Sequence, residues 1–200
     1  MPRRTTLAVV VVVVAAAAVA LVALAGGGGK YLAPEAATGQ VELVSSSVAV
    51  LPEAERPPLP AFAGRTLDGR QLDLASLRGH PLVLNFWASW CGPCRAEQEG
   101  LELASKALAG KDVRMVGVNI RDDQGAAASY LQEFGVGYPS LFDRPAVLSA
   151  RLGALGPQAP PYTLVVDARG RVAARVFGAL PGGDPRRQAA LLTDLVERVT

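Results

Sequence analysis

A chain of 200 residues has room for one domain and flanking segments. Half of its residues are hydrophobic, and its formal net charge of +2 comes from Arg3 and Arg4, because the 18 basic and 18 acidic residues beyond Ala25 balance. No basic run or patch stands out, which argues against a nucleic-acid partner, and the only cysteines, Cys91 and Cys94, lie too close together to staple distant parts of a fold.

From Leu7 to Ala25 the chain has no charged or strongly polar residue. As a helix this run would span about 28 Å at roughly 1.5 Å per residue, close to the thickness of a bilayer core. Arg3 and Arg4 precede it, and positive charge stays on the cytoplasmic side, so the remainder is expected outside the cytoplasm. Residues 1–25 are then either a membrane anchor, N-terminus in and C-terminus out, or a signal peptide cut near Ala25, where Ala23-Leu24-Ala25 has the small-x-small pattern. Residues 26–60 read as a flexible linker: Gly26 to Gly29, then an Ala- and Ser-rich stretch, then Pro52, Pro57, Pro58 and Pro60. Within it Val41–Val50 is a candidate short strand.

Residues 61–200 carry the pattern of a globular domain. Asp68-Gly69 sits between two short alternating stretches and predicts a hairpin turn. Leu82 to Ala88 is an apolar run of strand length, suited to a buried central strand. A helix is predicted from Pro93 to Ala109, a second strand over Val113 to Ile120, and a helix that Asp122 and Asp123 can cap and that reaches Phe134. Pro145 to Leu152 predicts a short helix. Tyr162 to Val166 and Arg171 to Phe177 predict strands joined by a turn at Ala168 to Gly170. Asp184 caps a last helix with Pro185 in its first position, and Leu192, Leu195 and Val199 recur on one face. Strands alternating with helices imply an α/β sandwich around a mixed sheet.

The chemistry is carried by Trp90-Cys91-Gly92-Pro93-Cys94, which follows the Leu82–Ala88 strand and opens a helix. A helix amino terminus offers unpaired N–H groups and the positive end of the dipole, and both favour a thiolate over a thiol. The thiolate is the attacking species in disulfide exchange. Cys91 is expected to be the exposed nucleophile. Cys94, one turn on, is close enough to close a disulfide with it. A zinc site would need two more Cys or His ligands, and His80 in a Gly-His-Pro turn is the only histidine, so no metal is expected.

The segment Phe86-Trp87-Ala88-Ser89-Trp90-Cys91-Gly92-Pro93-Cys94-Arg95-Ala96-Glu97 resembles the active site of the TlpA/ResA/DsbE branch of thioredoxin-like thiol–disulfide oxidoreductases. Leu77-Arg78-Gly79-His80-Pro81 and Pro161-Tyr162-Thr163-Leu164-Val165-Val166-Asp167 resemble that branch too, in the same order. The resemblance implies a thioredoxin-like three-layer sandwich with a mixed central sheet, an N-terminal β-hairpin and an inserted helix. It implies a cis proline facing the cysteines, at Pro161. The residue before that proline would ordinarily pair its backbone with a substrate strand, but Pro160 has no N–H to donate, which predicts a weakened or one-sided clamp.

Many thioredoxins carry a buried Asp where Asn85 stands here, and Asn85 cannot titrate. Glu97 is the available substitute. Residues 94, 97, 101, 104 and 108 form one helical stripe, so Glu97 faces inward beside Cys94. There it serves either as a proton acceptor with a raised pKa or as a structural partner of an arginine. Glu102 and Lys106 suit a surface i,i+4 pair. Trp87 points into the core by alternation, and Trp90 borders the site.

The activity implied is thiol–disulfide exchange with no cofactor beyond the Cys91–Cys94 disulfide. The partners implied are exported protein thiols and disulfides such as apocytochrome c, with a membrane thiol carrier as reductant. The Gly92-Pro93 dipeptide resembles that of reducing thioredoxins. An exported disulfide-forming oxidant and a non-catalytic binding or chaperone module are the alternatives.

Overall fold

A computed structural model of the protein describes residues 42–45 and 47–200. Its strands are β1 (Glu42–Ser45), β2 (Val48–Val50), β3 (Ala63–Arg65), β4 (Gln71–Asp73), β5 (Leu82–Trp87), β6 (Arg114–Ile120), β7 (Ser140–Asp143), β8 (Tyr162–Val166) and β9 (Val172–Phe177). Its α-helices are α1 (Gly92–Leu108), α2 (Gln124–Phe134), α3 (Val147–Leu152) and α4 (Pro185–Val199). Seven strands form one mixed sheet in the order β1-β2-β9-β8-β5-β6-β7. The pairs β5–β6 and β6–β7 are parallel; β5–β8, β8–β9, β2–β9 and β1–β2 are antiparallel.

Strand β5 lies inside this sheet, between β8 and β6, and is buried along its whole length. Alternation sends its side chains to two different layers. Leu82, Leu84 and Phe86 join Val116, Val118, Ile120, Leu148 and Leu164 on the α3 face. Val83 joins Leu101, Leu108, Leu192 and Leu195 on the face covered by α1 and α4. Trp87, on that same face, packs with Ala127 and Tyr130 of α2. Asn85 is thereby aimed at α1, fully buried.

The helices begin where side chains replace missing backbone partners. Asp123 caps α2 by accepting from the amides of Gly125 and Ala126, and Asp184 caps α4 by accepting from Arg187 N, with Pro185 next. Helix α2 stops at Gly135, where φ is +61° and a glycine carries no penalty. The 17 residues of α1 bury Cys94, Glu97, Leu101, Ala104 and Leu108, the stripe read from the sequence. Strands β3 and β4 pair antiparallel around Asp68-Gly69, and Thr66 beside that turn bridges to Leu141 of β7. Gly117 of β6 leaves room for side chains of the two strands beside it: a Cβ there would lie 2.0 Å from Ser140 Oγ of β7 and 2.8 Å from Trp87 Nε1 of β5.

The expected linker over 26–60 does not hold for its described end. Strand β2 adds to the edge of β9, Leu51 N donates to Ala173 O, Val172 N donates to Pro57 O and Leu59 N donates to Gly170 O. Leu51 and Leu59 are buried in the α3-side core. Arg56 donates to the buried carboxylate of Asp167 at 3.2 Å. The prolines here follow the edge of a sheet, a position where a missing N–H is tolerated. The candidate strand at Val41–Val50 is two strands, β1 and β2. Among the described residues no helix is long and apolar enough to cross a membrane, and the expected anchor or signal at 1–25 lies outside the described residues.

A packed 48–60 segment has a measurable consequence. Leu51→Ala is expected to lower unfolding free energy by about 2 kcal/mol in denaturant titrations. A loss of less than about 0.5 kcal/mol, the scale of a surface substitution, would restore the linker reading.

Candidate active site

Trp87 ends β5, and the chain turns into α1 within four residues. Cys91 is the N-cap of α1: its backbone is extended, with φ −84° and ψ 104°, and its Sγ accepts from Cys94 N at 3.1 Å. Gly92 and Pro93 fill the first two helical positions, where the amide that proline lacks has no helical partner to lose. Cys91 and Cys94 are joined by a disulfide with a Cα–Cα separation of 5.3 Å.

The pair sits in an apolar nest of Trp87, Ala88, Ala127 and Tyr130. Trp87 stacks on Tyr130 with ring centroids 4.5 Å apart, and its Nε1 donates to Ser140 Oγ, as packing rather than as a substrate platform. Tyr130 Oη donates to Cys94 O at 3.0 Å. Arg95 lies over the rings of Tyr130 and Phe134 and pairs with Glu133. Cys91 was expected to be exposed, and in this oxidised form it is not: only 3% of its surface is accessible. Trp87 and Tyr130 pack with both cysteines in one buried cluster. What the site exposes is Gly92, Pro93 and Trp90, the last at 59%.

Trp90 is fixed without being buried. Its Nε1 donates to Arg121 O at 2.9 Å, and Arg121 Nη1 donates to Gln158 O at 3.0 Å, two residues before Pro160. The Pro160–Pro161 peptide is cis. Register pairs Phe86 with Tyr162, so Pro161 lies one step further on, level with Trp87 at the edge that leads to Cys91. Strand pairing thus brings the two separated motifs to one end of the sheet.

Glu97 is fully buried. One carboxylate oxygen accepts from Asn85 Nδ2 at 3.0 Å and the other from Leu180 N at 2.7 Å. Asn85 Nδ2 also donates to Thr163 Oγ1, tying β5, β8 and α1 together. Both of these partners are neutral, and among the described residues the arginine pairing is not found. Burial pushes the Glu97 carboxyl from 4.5 up to about 7, against the lowering effect of its two donors.

Two further roles differ from the sequence reading. Asp122 does not cap α2. Its buried carboxylate accepts from Ser89 N and Oγ, Asn119 Nδ2 and Asp123 N, so it pins the loop before Cys91 to the end of β6. Burial raises its pKa, but those donors outweigh burial and hold the group below its usual range. Glu102 is buried rather than paired on the surface, and it accepts from Gly137 N. Asp122 and Leu180 are site residues that the sequence reading missed. Only an aspartate adjacent to the cap hinted at the first, and nothing local marks the second.

The profile of the Redoxin family matches residues 54–192. The chain belongs to the Redoxin family. It is 39% identical over 127 residues to the thiol:disulfide interchange protein DsbE of Yersinia pestis, a stretch that covers 62% of this chain and 64% of that protein, slightly less than two thirds. Among solved structures it resembles a DsbF homologue from Corynebacterium diphtheriae, with a TM-score of 0.68 and 28% identity over 78% of this chain and 96% of that one. It also resembles a secreted Mycobacterium tuberculosis disulfide oxidoreductase homologous to Escherichia coli DsbE, with a TM-score of 0.58 and 29% identity over 68% of this chain and 95% of that one. The mixed sheet with helices on both faces is the thioredoxin-like fold of these structural neighbours.

The buried glutamate gives this Redoxin domain a pH signature. Between about pH 4.5 and 7 the folded state keeps a proton that the unfolded chain releases, so stability is fully present below the lower value and falls as pH rises through the window. The loss is up to about 3 kcal/mol. In urea titrations of the oxidised protein, wild type is expected to lose stability across that window relative to Glu97→Gln, and parallel curves would contradict the shifted carboxyl.

Proposed function

We propose that the chain is an extracytoplasmic thiol–disulfide oxidoreductase that reduces disulfides in exported proteins, apocytochrome c among them. The observation that carries this reading is the Cys91–Cys94 pair at the start of α1, with Cys91 Sγ as the acceptor of a helix N-terminal amide. The segment Leu7 to Ala25 supports export, either as an anchor or as a cleaved signal, and the Mycobacterium tuberculosis relative is secreted.

The Cys91 thiolate attacks one sulfur of a substrate disulfide, forms a mixed disulfide and releases one substrate thiolate. Cys94 gives up its proton, with Glu97 one turn away as the acceptor, and its sulfur attacks Cys91 Sγ. The second substrate thiolate leaves. The substrate has gained two electrons and the Cys91–Cys94 pair has lost them. A membrane thiol carrier outside the chain returns the electrons. Trp90, Gly92 and Pro93 form the exposed rim on which the substrate rests. Pro161 sets the opposing wall, and Pro160, without an N–H, leaves the substrate backbone held on one side.

Equilibration with glutathione, followed by tryptophan fluorescence, tests the direction. A potential near that of reducing thioredoxins, about −270 mV, is expected. A value above about −150 mV would instead make the protein an oxidant. In a Cys94→Ala background the mixed disulfide with a peptide substrate is expected to accumulate, and to accumulate further with Pro160→Val. Equal trapping with and without that change would remove the one-sided clamp, and no exchange at all by the wild-type pair would leave a binding module.

A further inference from the structure

Glu97 is held from its far side by a segment that takes no part in the exchange steps. Leu180 lies in the connection between β9 and α4, where Gly178, Gly182 and Gly183 have φ values of +77°, +126° and +72°. Such a stretch has little conformational preference of its own. Its Leu180 amide nevertheless meets the Glu97 carboxylate at 2.7 Å. The carbonyl of the same residue accepts from Gln188 Nε2 at 3.1 Å. Gln188 is in the first turn of α4 and is 6% exposed.

Helix α1 makes room for this contact. A Cβ at Gly100 would lie 2.6 Å from Gln188 Oε1 and 2.7 Å from Gln188 Cβ. A glycine in mid-helix weakens the helix, and here it lets Gln188 lie flat against the helix that carries Glu97. Among the described residues the buried Gln188 Oε1 has no hydrogen-bond partner, so the amide is not placed to satisfy both of its own ends, and its Nε2 is spent on Leu180 O.

We propose that Gln188 is a positioning residue for Glu97, holding Leu180 so that its amide stays on the carboxylate. The proposal rests on the exchange reading, in which Glu97 takes the proton of Cys94, and it names what sets the pH at which that acceptor works. A fixed N–H donor favours the charged carboxylate, and a donor free to wander favours it less. The groups facing Glu97 leave this role to amides. From β5 comes Asn85, which is neutral, and behind it Thr163 of β8. Cys94 stands one turn earlier on α1. The Tyr130 hydroxyl of α2 and the Tyr138 hydroxyl before β7 both feel the Glu97 charge, and burial pushes both up so that they stay protonated. Arg95, paired with Glu133, stands over the Tyr130 ring at 5.5 Å, and Glu102 is bonded to Gly137 N further along α1.

The test is a carbon-13 NMR titration of glutamate-labelled, oxidised full-length protein, with the Glu97 signal assigned by its absence in Glu97→Gln. In Gln188→Leu the Glu97 midpoint is expected to rise by about one pH unit, a tenfold gain in proton affinity. Glu102 on the same helix is expected to stay put. Gly100→Ala, which pushes Gln188 off α1, is expected to move Glu97 the same way and serves if Gln188→Leu does not fold. A Glu97 midpoint within about 0.2 unit of wild type in the folded variants, or an equal movement of Glu102, overturns the proposal. The readout needs no exchange activity: a shifted Glu97 in a protein whose cysteines prove inert upholds the positioning and removes the exchange reading alone.

Discussion

The site depends on one contact, the acceptance by Cys91 Sγ of the Cys94 amide at the start of α1. A helix leaves its first amides without partners, and in most helices an oxygen from Ser, Thr, Asp or Asn meets them. Here a sulfur does. The same geometry that completes the helix puts the sulfur at the positive end of its dipole, so capping and activation are one interaction. Strand β5 fixes where that end falls, because it is buried on both faces and cannot slide without exchanging Val83, Asn85 and Trp87 for Leu82, Leu84 and Phe86.

Around this contact the surroundings are apolar on one side and hydrogen-bonded on the other. Trp87 and Tyr130 exclude water from the sulfurs, while Asp122 pins the loop before them. Glu97 is the exception to the apolar stripe of α1. Its two neutral donors satisfy it without cancelling the effect of burial, so it keeps its proton up to about pH 7. A carboxyl buried against an arginine would be held charged and of little use as an acceptor. The donors come from β5 and from the connection after β9, so the acidity of this one group reports on the packing of three separate elements.

Much of this was legible in the sequence because it is local or periodic. The Cys-Gly-Pro-Cys spacing, the apolar β5 run, the Asp184-Pro185 helix start and the 94-97-101-104-108 stripe each follow from short-range rules, and the stripe alone placed Glu97 indoors. The level of Pro161 was legible from a resemblance, and strand register explains it. Residues 48–60 were misread because Ala, Ser and Pro compose linkers and proline-tolerant sheet edges alike; only the neighbouring strand β9 decides between them. Leu180 meets Glu97 through its backbone, which has no residue-specific signature. The burial of Cys91 depends on Trp87 at the end of β5 and on Tyr130 of α2, which lies far along the chain and which no local rule brings to the cysteines.

Exchange at this site turns on the ionisation of a single sulfur, that of Cys91. In fully reduced protein, the thiolate absorbance near 240 nm, followed against pH with Cys94 replaced by Ala, isolates Cys91. Half-conversion to thiolate is predicted at or below about pH 7.5, the range of thiols at helix N-termini. A Cys91 that still holds its proton above about pH 9, past the value of a free cysteine, would contradict the proposed activation.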